Sequence, residues 1–164
     1  MRDALEDFRG TVESGAERLL AMSDEDARRP RGGEEGWSAK EIVGHLIDSA
    51  ANNHRRFVLA QLQDDLVFEG YAQEDWVRAQ AYADAPWAGL VGLWRAYNLH
   101  LLHVMASAPE EVLRRPRASH SLDRIAFRTV EASRPATLEY LMRDYIAHLK
   151  HHLAQIFPAG AGLN

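Results

Sequence analysis

The stretch GWSAKEIVGHLIDSAANNHRRF, residues 36–57, contains the best-marked helix boundary in the chain. Ser38 is a favourable N-cap residue, and Glu41 three positions later completes an S-x-x-E capping box. The apolar residues that follow recur with the 3.6-residue period of a helix. This stretch therefore predicts a long amphipathic helix that begins at residue 38 and buries one face.

Three further segments show the same helical period. They cover residues 5–20, a segment from about Pro86 to Pro109, and a segment from about Thr137 to Pro158. A short helix near residues 74–83 is predicted inside the long connection between the second and third of the four helices. Together these patterns predict an all-α protein, an antiparallel up-down four-helix bundle with two elaborated inter-helix connections.

Composition limits both the architecture and the partners. The chain has 164 residues, 46% of them hydrophobic, which predicts a single domain over residues 1–164. Its net charge of −5 comes from interspersed acids and bases, so neither nucleic acid nor a membrane is the expected partner. A small-molecule substrate fits better. With neither a signal peptide nor a long apolar run, the expected location is the cytoplasm.

The absence of cysteine restricts the chemistry further. The sequence contains 0 cysteines, which excludes disulfides, a catalytic thiol and cysteine-ligated metal sites. Any bound metal must therefore be held by nitrogen and oxygen ligands.

Histidines are concentrated in the last helix, where AHLKHHLAQI occupies residues 147–156. At 100° per residue, His148 and His152 face the bundle interior together, whereas His151 points toward solvent. His45, in the second long helix, lies at the margin of its apolar face. Imidazoles from facing helices of a bundle can share one ion, so His45, His148 and His152 are the predicted metal ligands. The alternative is a plain bundle in which these histidines are buried and hydrogen bonded to protein groups.

The same motifs resemble those of the DinB superfamily of four-helix-bundle proteins. Trp37, Ser38 and His45 match the helix start and first histidine of that family, and His148 and His152 match its closing H-x-x-x-H. The segment GYAQEDWVRAQAY, residues 70–82, is similar to a further block found in part of the family. The resemblance implies three histidines that bind a divalent metal, usually zinc or nickel. It also makes a homodimer plausible.

Members of this family include metal-dependent thiol transferases and isomerases that use a low-molecular-weight thiol such as bacillithiol or mycothiol. The resemblance thus implies a thiol-dependent transferase or a hydrolase acting on a small molecule. A peptidase of the H-E-x-x-H type is excluded because Leu149 occupies the position of the glutamate. The alternative function is a non-catalytic metal-binding or stress-response bundle that acts through dimerisation.

The sequence indicates residues that contact a substrate or orient a metal ligand less clearly than it indicates the metal ligands. No catalytic general base is evident from the sequence. Asn52, Tyr71 and Trp76 are predicted to contact the substrate, the two aromatic residues as a wall over the metal. Asp144 is placed to orient an imidazole from behind, whereas Asp48 is expected to point away from the core. Packing contacts or a solvated helix face are the alternatives for all five.

Overall fold

The computed structural model describes residues 1–31 and 36–158, and this part of the chain is helical without a strand. Its α-helices are α1 Arg2–Leu20, α2 Asp24–Arg28, α3 Ala39–Leu62, α4 Gln73–Gln80, α5 Trp87–Ser107, α6 Glu110–Arg114, α7 Leu122–Ile125 and α8 Leu138–Ile156, with a short 3-10 helix at Tyr82–Asp84. Helices α1, α3, α5 and α8 form the bundle. None of the described helices is both long enough and apolar enough to cross a bilayer.

The predicted four-helix bundle with two elaborated connections is confirmed. Helices α5 and α8 each pack against both α1 and α3, so α1 and α3 face each other across a diagonal. Trp87 at the start of α5 donates a 2.9 Å hydrogen bond to the Leu19 carbonyl at the end of α1, which makes this pair antiparallel. Helices α3 and α5 run parallel, so the four long helices do not alternate in direction as the predicted up-down order implies. The long connection between α3 and α5 makes this parallel arrangement possible.

Side-chain caps fix where α3 and α8 begin. The Ser38 hydroxyl accepts from the Glu41 backbone N–H at 3.3 Å, and the Ser38 N–H donates to the Glu41 carboxylate at 2.8 Å. The Thr137 hydroxyl accepts from the Tyr140 N–H at 3.1 Å. Such caps satisfy backbone donors that the first helical turn leaves free. They thereby set the starting points of the two helices that carry the three histidines.

Aromatic residues fill the centre of the bundle. Tyr145 packs edge-on against Phe8 and Phe57, with ring centroids 6.0 Å and 5.8 Å away, and its hydroxyl donates to Asn98 at 2.5 Å. Trp94 is fully buried. Edge-to-face rings at these separations stabilise a core beyond the area that they bury. The core thus joins α1, α3, α5 and α8 next to the histidine positions.

The two long connections lie against one another. Leu66 pairs with His120 through an isolated bridge, and the Ser121 hydroxyl accepts from the Phe68 N–H at 2.9 Å. The sequence DRIAFRTV, residues 123–130, predicts a short extended piece in the second connection. This prediction is wrong at its start because α7 covers Leu122–Ile125. The anchoring of Ser121 to the other connection positions this short helix, and such a tertiary contact leaves no local sequence signal.

Candidate metal centre

Three histidines from two antiparallel helices meet at one end of the bundle. His45 lies in the second turn of α3 and is fully buried, whereas His148 and His152 lie one turn apart in α8. His152 is buried and His148 is partly exposed. The i, i+4 spacing stacks the two α8 rings on the side that faces α3. The fold therefore brings the three predicted metal ligands together, with an approach from solvent beside His148.

The Nε2 atoms of the three rings point at one another. The Nε2 of His148 lies 3.2 Å from the Nε2 of His45 and 3.0 Å from the Nε2 of His152. One ligand atom from each of the three rings lies within 4.8 Å of the other two. Metal–nitrogen bonds of about 2.0–2.1 Å at tetrahedral angles place ligand nitrogens about 3.3 Å apart. The spacing of these rings therefore suits one small divalent cation.

Hydrogen bonds among the three histidine rings cannot satisfy all three Nε2 atoms. A ring nitrogen either donates one hydrogen or accepts through one lone pair. The Nε2 of His148 therefore forms a hydrogen bond with His45 or with His152, and the other contact stays unsatisfied. A cation at the centre would accept a lone pair from all three rings at once. The donor set thus fits a metal better than it fits a protein hydrogen-bond network.

The outer ring nitrogens have different surroundings. The Nδ1 of His152 lies 2.8 Å from the Gln155 side-chain oxygen, and the Nδ1 of His148 lies 3.4 Å from the Ser49 hydroxyl. Acceptors at Nδ1 keep the proton there and leave Nε2 free for a metal. The Nδ1 of His45 is buried without a hydrogen-bond partner among the described residues. Contacts at Nδ1 thus orient two of the three rings, those of His148 and His152.

Burial keeps these imidazoles neutral. It lowers the pKa of His45 to about 3, with a smaller contribution from the charge of His152. It lowers the pKa of His148 to about 2, with further lowering by the other histidines around it. The pKa of His152 is also lowered by burial. Because neutral imidazole is the form that binds a metal, the site does not need to lose protons at neutral pH.

Metal-free protein is expected to lose stability as the pH falls below 6.5. The unfolded chain protonates His45 and His148 near their ordinary pKa of 6.5, whereas the folded chain keeps both rings neutral down to the lowered values. Between these values the unfolded state binds more protons. The free energy of unfolding should then fall by up to about 1.4 kcal/mol per pH unit for each ring.

Urea unfolding of the metal-free protein at pH 7.5, 6.5 and 5.5 would measure this dependence. A His45→Gln variant should show a shallower decline than the wild type. Exposed His103 offers the control, since His103→Gln should leave the slope unchanged. Equal slopes in all three proteins would contradict the account.

Trp37 and Phe127 enclose the histidine cluster on two sides. The Trp37 ring centroid lies 5.2 Å from that of His45, and the Phe127 centroid lies 5.5 Å from that of His148. Phe127 is 42% exposed, so it covers the cluster at the solvent boundary. These rings form an apolar surround that raises the strength of electrostatic interactions inside it. A small ligand would enter past Phe127.

Asp144 holds Phe127 in place instead of orienting an imidazole. Its two oxygens accept from the Phe127 and Arg128 backbone N–H groups at 2.8 Å and 2.7 Å. The expectation that it contacts a histidine is therefore wrong, since the connection before α8 folds back over its carboxylate. Burial raises the pKa of Asp144, although the two hydrogen bonds oppose this shift.

Replacing Asp144 with alanine should release the segment around Phe127. Two backbone donors would lose a charged acceptor, and we expect a loss of about 2 kcal/mol in the free energy of unfolding. Amide hydrogen exchange at residues 127 and 128 should accelerate more than exchange elsewhere in the connection. Exposed Glu131 in the same connection is the matched control, and Glu131→Ala should leave both quantities unchanged. Unchanged exchange in Asp144→Ala would rule out this anchoring role.

Asp48 does not lie where the sequence placed it, whereas contact of Asn52 with a substrate stays a prediction. Asp48 is buried and accepts from the Tyr82 hydroxyl at 2.7 Å and from Gln80 at 2.8 Å, because the connection after α3 covers it. Its expected outward orientation is wrong. Asn52 donates to the Asp48 carbonyl at 2.9 Å within α3. The neighbouring Asn53, not Asn52, lines the cavity beside His148.

Tyr71 and Trp76 form an aromatic pair in the first long connection. Their ring centroids lie 5.0 Å apart, and Tyr71 lines the same cavity as His148. Trp76 is 40% exposed and packs on the outer side of Tyr71. Tyr71 is thus the one of the pair that borders the site, and Trp76 supports it. Contact of either residue with a substrate stays a prediction.

A family model for the DinB superfamily matches residues 8–156, which include most of α1, all of α3, α5 and α8, and the three histidines. The chain belongs to the DinB superfamily. The sequence-based resemblance to this family is thereby confirmed.

YfiT of Bacillus subtilis strain 168 is 22% identical to this chain over 121 residues, and its name assigns it provisionally to the metal-dependent hydrolases. The match covers 74% of this chain and 62% of YfiT, so the chain spans less than two thirds of that relative.

Two solved structures share the fold. The YfiT structure, described as a four-helix bundle of unusual topology, has a TM-score of 0.73 at 20% sequence identity. The superposition covers 94% of this chain and 82% of the YfiT chain. The structure of the mycothiol-dependent maleylpyruvate isomerase has a TM-score of 0.68 at 12% sequence identity. Its superposition covers 95% of this chain and 60% of the isomerase chain. At these identities the likeness shows the fold alone.

The DinB motifs did not reveal several residues that shape the site. Ser49, Gln155 and Phe127 contact the histidines through hydrogen bonds or ring packing, yet none was singled out from the sequence. Ser49 and Gln155 share a helix face with the histidines, four residues after His45 and three after His152. That spacing is the signal that could have identified them. Phe127 has no such signal because its position depends on the fold of the connection.

Proposed function

We propose that this protein is a metal-dependent enzyme that activates a nucleophile for attack on a small electrophilic molecule. His45, His148 and His152 would hold a divalent cation, zinc or nickel. The observation that best supports this proposal is that the three Nε2 atoms lie close together at one point. The described residues add no fourth protein ligand to this group. Three neutral ligands and a vacant coordination position are typical of catalytic and not of structural zinc.

The chemistry that such a cation supplies is activation of water or of a thiol at neutral pH. Bound zinc lowers the pKa of water to about 7, and it holds a thiol as the thiolate. The chain itself would orient the ligands through Ser49 and Gln155. Trp37 and Phe127 would exclude bulk water. The provisional naming of YfiT as a metal-dependent hydrolase and the mycothiol dependence of the isomerase support a metal and a thiol in proteins of this fold.

A thiol is the favoured nucleophile because residues 1–31 and 36–158 offer no evident general base. Asp144 uses both carboxylate oxygens on backbone N–H groups, and one oxygen of Asp48 is held by Tyr82 and Gln80. Neither carboxylate belongs to the histidine cluster. A thiol held by the cation would release its proton to water on binding, so its attack would need no protein base. We therefore propose thiol transfer ahead of hydrolysis.

A turnover screen would test this function. Untagged protein loaded with Zn²⁺ or Ni²⁺ would be incubated with a low-molecular-weight thiol and a panel of small electrophiles, with thiol consumption as the readout. Parallel reactions with esters and amides would test hydrolysis. Turnover should require the metal and disappear in His148→Ala. Tight metal binding without turnover in either panel would contradict the proposal and favour the non-catalytic alternative.

A further inference from the structure

A small cavity extends from His148 into the bundle. Its volume is about 40 Å³, and its lining includes Arg56, Asn53, Tyr71 and Phe127 beside His148. Because one water needs about 10–15 Å³ of such space, the cavity has room for a group of a few atoms. It is too small for a whole substrate. It therefore suits one terminal group of a molecule whose remainder lies at the metal centre.

Arg56 places a buried positive charge at this cavity. Its side chain is 5% exposed, and it donates to the Glu69 carbonyl at 2.9 Å and more weakly to the Asn53 amide oxygen at 3.5 Å. A guanidinium has five N–H donors, and these two contacts use only part of them. Within residues 1–31 and 36–158, no carboxylate forms an ion pair with it. A buried charge without a counter-ion is costly unless a ligand supplies one.

The carboxylate that lines the same cavity as Arg56 already accepts hydrogen bonds from the backbone. Asp144 also lines the cavity, but its two oxygens accept from the Phe127 and Arg128 N–H groups. Asp48 is bonded to Tyr82 and Gln80. Neither acid forms an ion pair with Arg56, so among the described residues the guanidinium has no direct counter-ion and can pair with a ligand.

Tyr71 adds a neutral hydrogen-bond donor to the same wall. Burial raises the pKa of Tyr71, so its hydroxyl keeps the proton and can donate to an anion. The planar fork of a guanidinium matches a carboxylate, with which it forms paired hydrogen bonds. A carboxylate also fits the few-atom volume of the cavity.

We propose that Arg56 and Tyr71 form a recognition subsite for a carboxylate carried by the molecule that binds at the metal centre. The inference rests on the proposed function for the position of the metal-bound group. The ligand would then be a small molecule in which a short chain separates the carboxylate from the atom that binds the metal. Arg56 would thus determine specificity and position the ligand without contacting the reacting atoms.

Cobalt-loaded, untagged protein provides the test. Mercaptocarboxylates with one to three methylene groups and their uncharged amides would be titrated, and the thiolate-to-cobalt absorption would report binding. The best carboxylate should bind about tenfold tighter than its amide to the wild type. Arg56→Gln should reduce that preference to about twofold or less, with amide affinity unchanged. Arg56→Lys should retain part of it.

Exposed Arg55 supplies the matched control, since Arg55→Gln should keep the full preference. No preference at any chain length in the wild type would overturn the proposal. The same preference in Arg56→Gln, or an equal loss of carboxylate and amide affinity, would also overturn it by showing that Arg56 is irrelevant or merely structural.

A metal-free arm separates this inference from the proposed function. Acetate would be titrated into metal-free protein while the Arg56 Nε–H signal is followed by NMR, with acetamide as the neutral probe. Acetate and not acetamide should shift that signal. If the protein binds no metal, the proposed function fails, yet a selective acetate shift would still support the subsite. Absence of any shift would count against the subsite alone.

Discussion

Replacing His148 with alanine is expected to weaken Zn²⁺ binding by more than about 100-fold. His148 lies between the other two rings, and its Nε2 contacts both of their Nε2 atoms. Changes to residues that merely orient a ligand cost 10–100-fold in metal affinity, so loss of a ligand should cost at least about that much. Competition with a chromophoric chelator on untagged protein would measure the dissociation constant.

His151 offers the matched control for this replacement. It belongs to the same helix and packs against Phe127, but its side chain is exposed and it lies outside the cluster. His151→Ala should keep metal affinity within about threefold of the wild type. Equal affinity of His148→Ala and the wild type would show that the cation binds elsewhere or that two rings suffice.

Replacing Gly44 with alanine is expected to lower the free energy of unfolding by about 3 kcal/mol. A methyl group at this position of α3 would overlap the Tyr82 ring, which lies flat against the glycine. The ring would have to move, and its hydroxyl would lose the hydrogen bond to Asp48. Overpacking typically costs about 1–3 kcal/mol and loss of a hydrogen bond to a charged group about 1.5–3 kcal/mol, and together these costs exceed the gain of about 1 kcal/mol in helix propensity.

Gly92 in α5 is the control because nothing lies within 4 Å of a methyl group placed there. Gly92→Ala should be neutral or stabilising by up to about 1 kcal/mol in urea unfolding. A Gly44→Ala/Tyr82→Ala double variant should be no less stable than Tyr82→Ala alone, since the overlap is then removed. Full stability of Gly44→Ala would mean that Tyr82 does not pack against α3 as described.

The four long helices could be predicted because their signals are local. The capping box at Ser38 and the prolines that flank α5 and α8 mark boundaries within a few residues of the observed ones. The order of the helices around the bundle could not be predicted in this way. The parallel pairing of α3 and α5 depends on how a long connection returns across the bundle, and helix periodicity carries no information about that path.

The histidine cluster was predictable for the same reason, since spacing along a helix determines which face a residue occupies. The two aspartates were not, because their partners are in distant connections. Asp48 meets Tyr82 and Gln80, and Asp144 meets backbone groups of the segment around Phe127. The unneutralised charge of Arg56 became apparent only from its burial and its contacts.

The most direct test of the central claim is X-ray absorption at the zinc edge of untagged protein loaded with one equivalent of Zn²⁺. We expect three imidazole nitrogens at about 2.0–2.1 Å from the zinc and one exchangeable oxygen, which an added thiol should replace with sulfur at about 2.3 Å. Fewer than three imidazoles around the zinc, or a coordination shell that thiols do not alter, would contradict the claim.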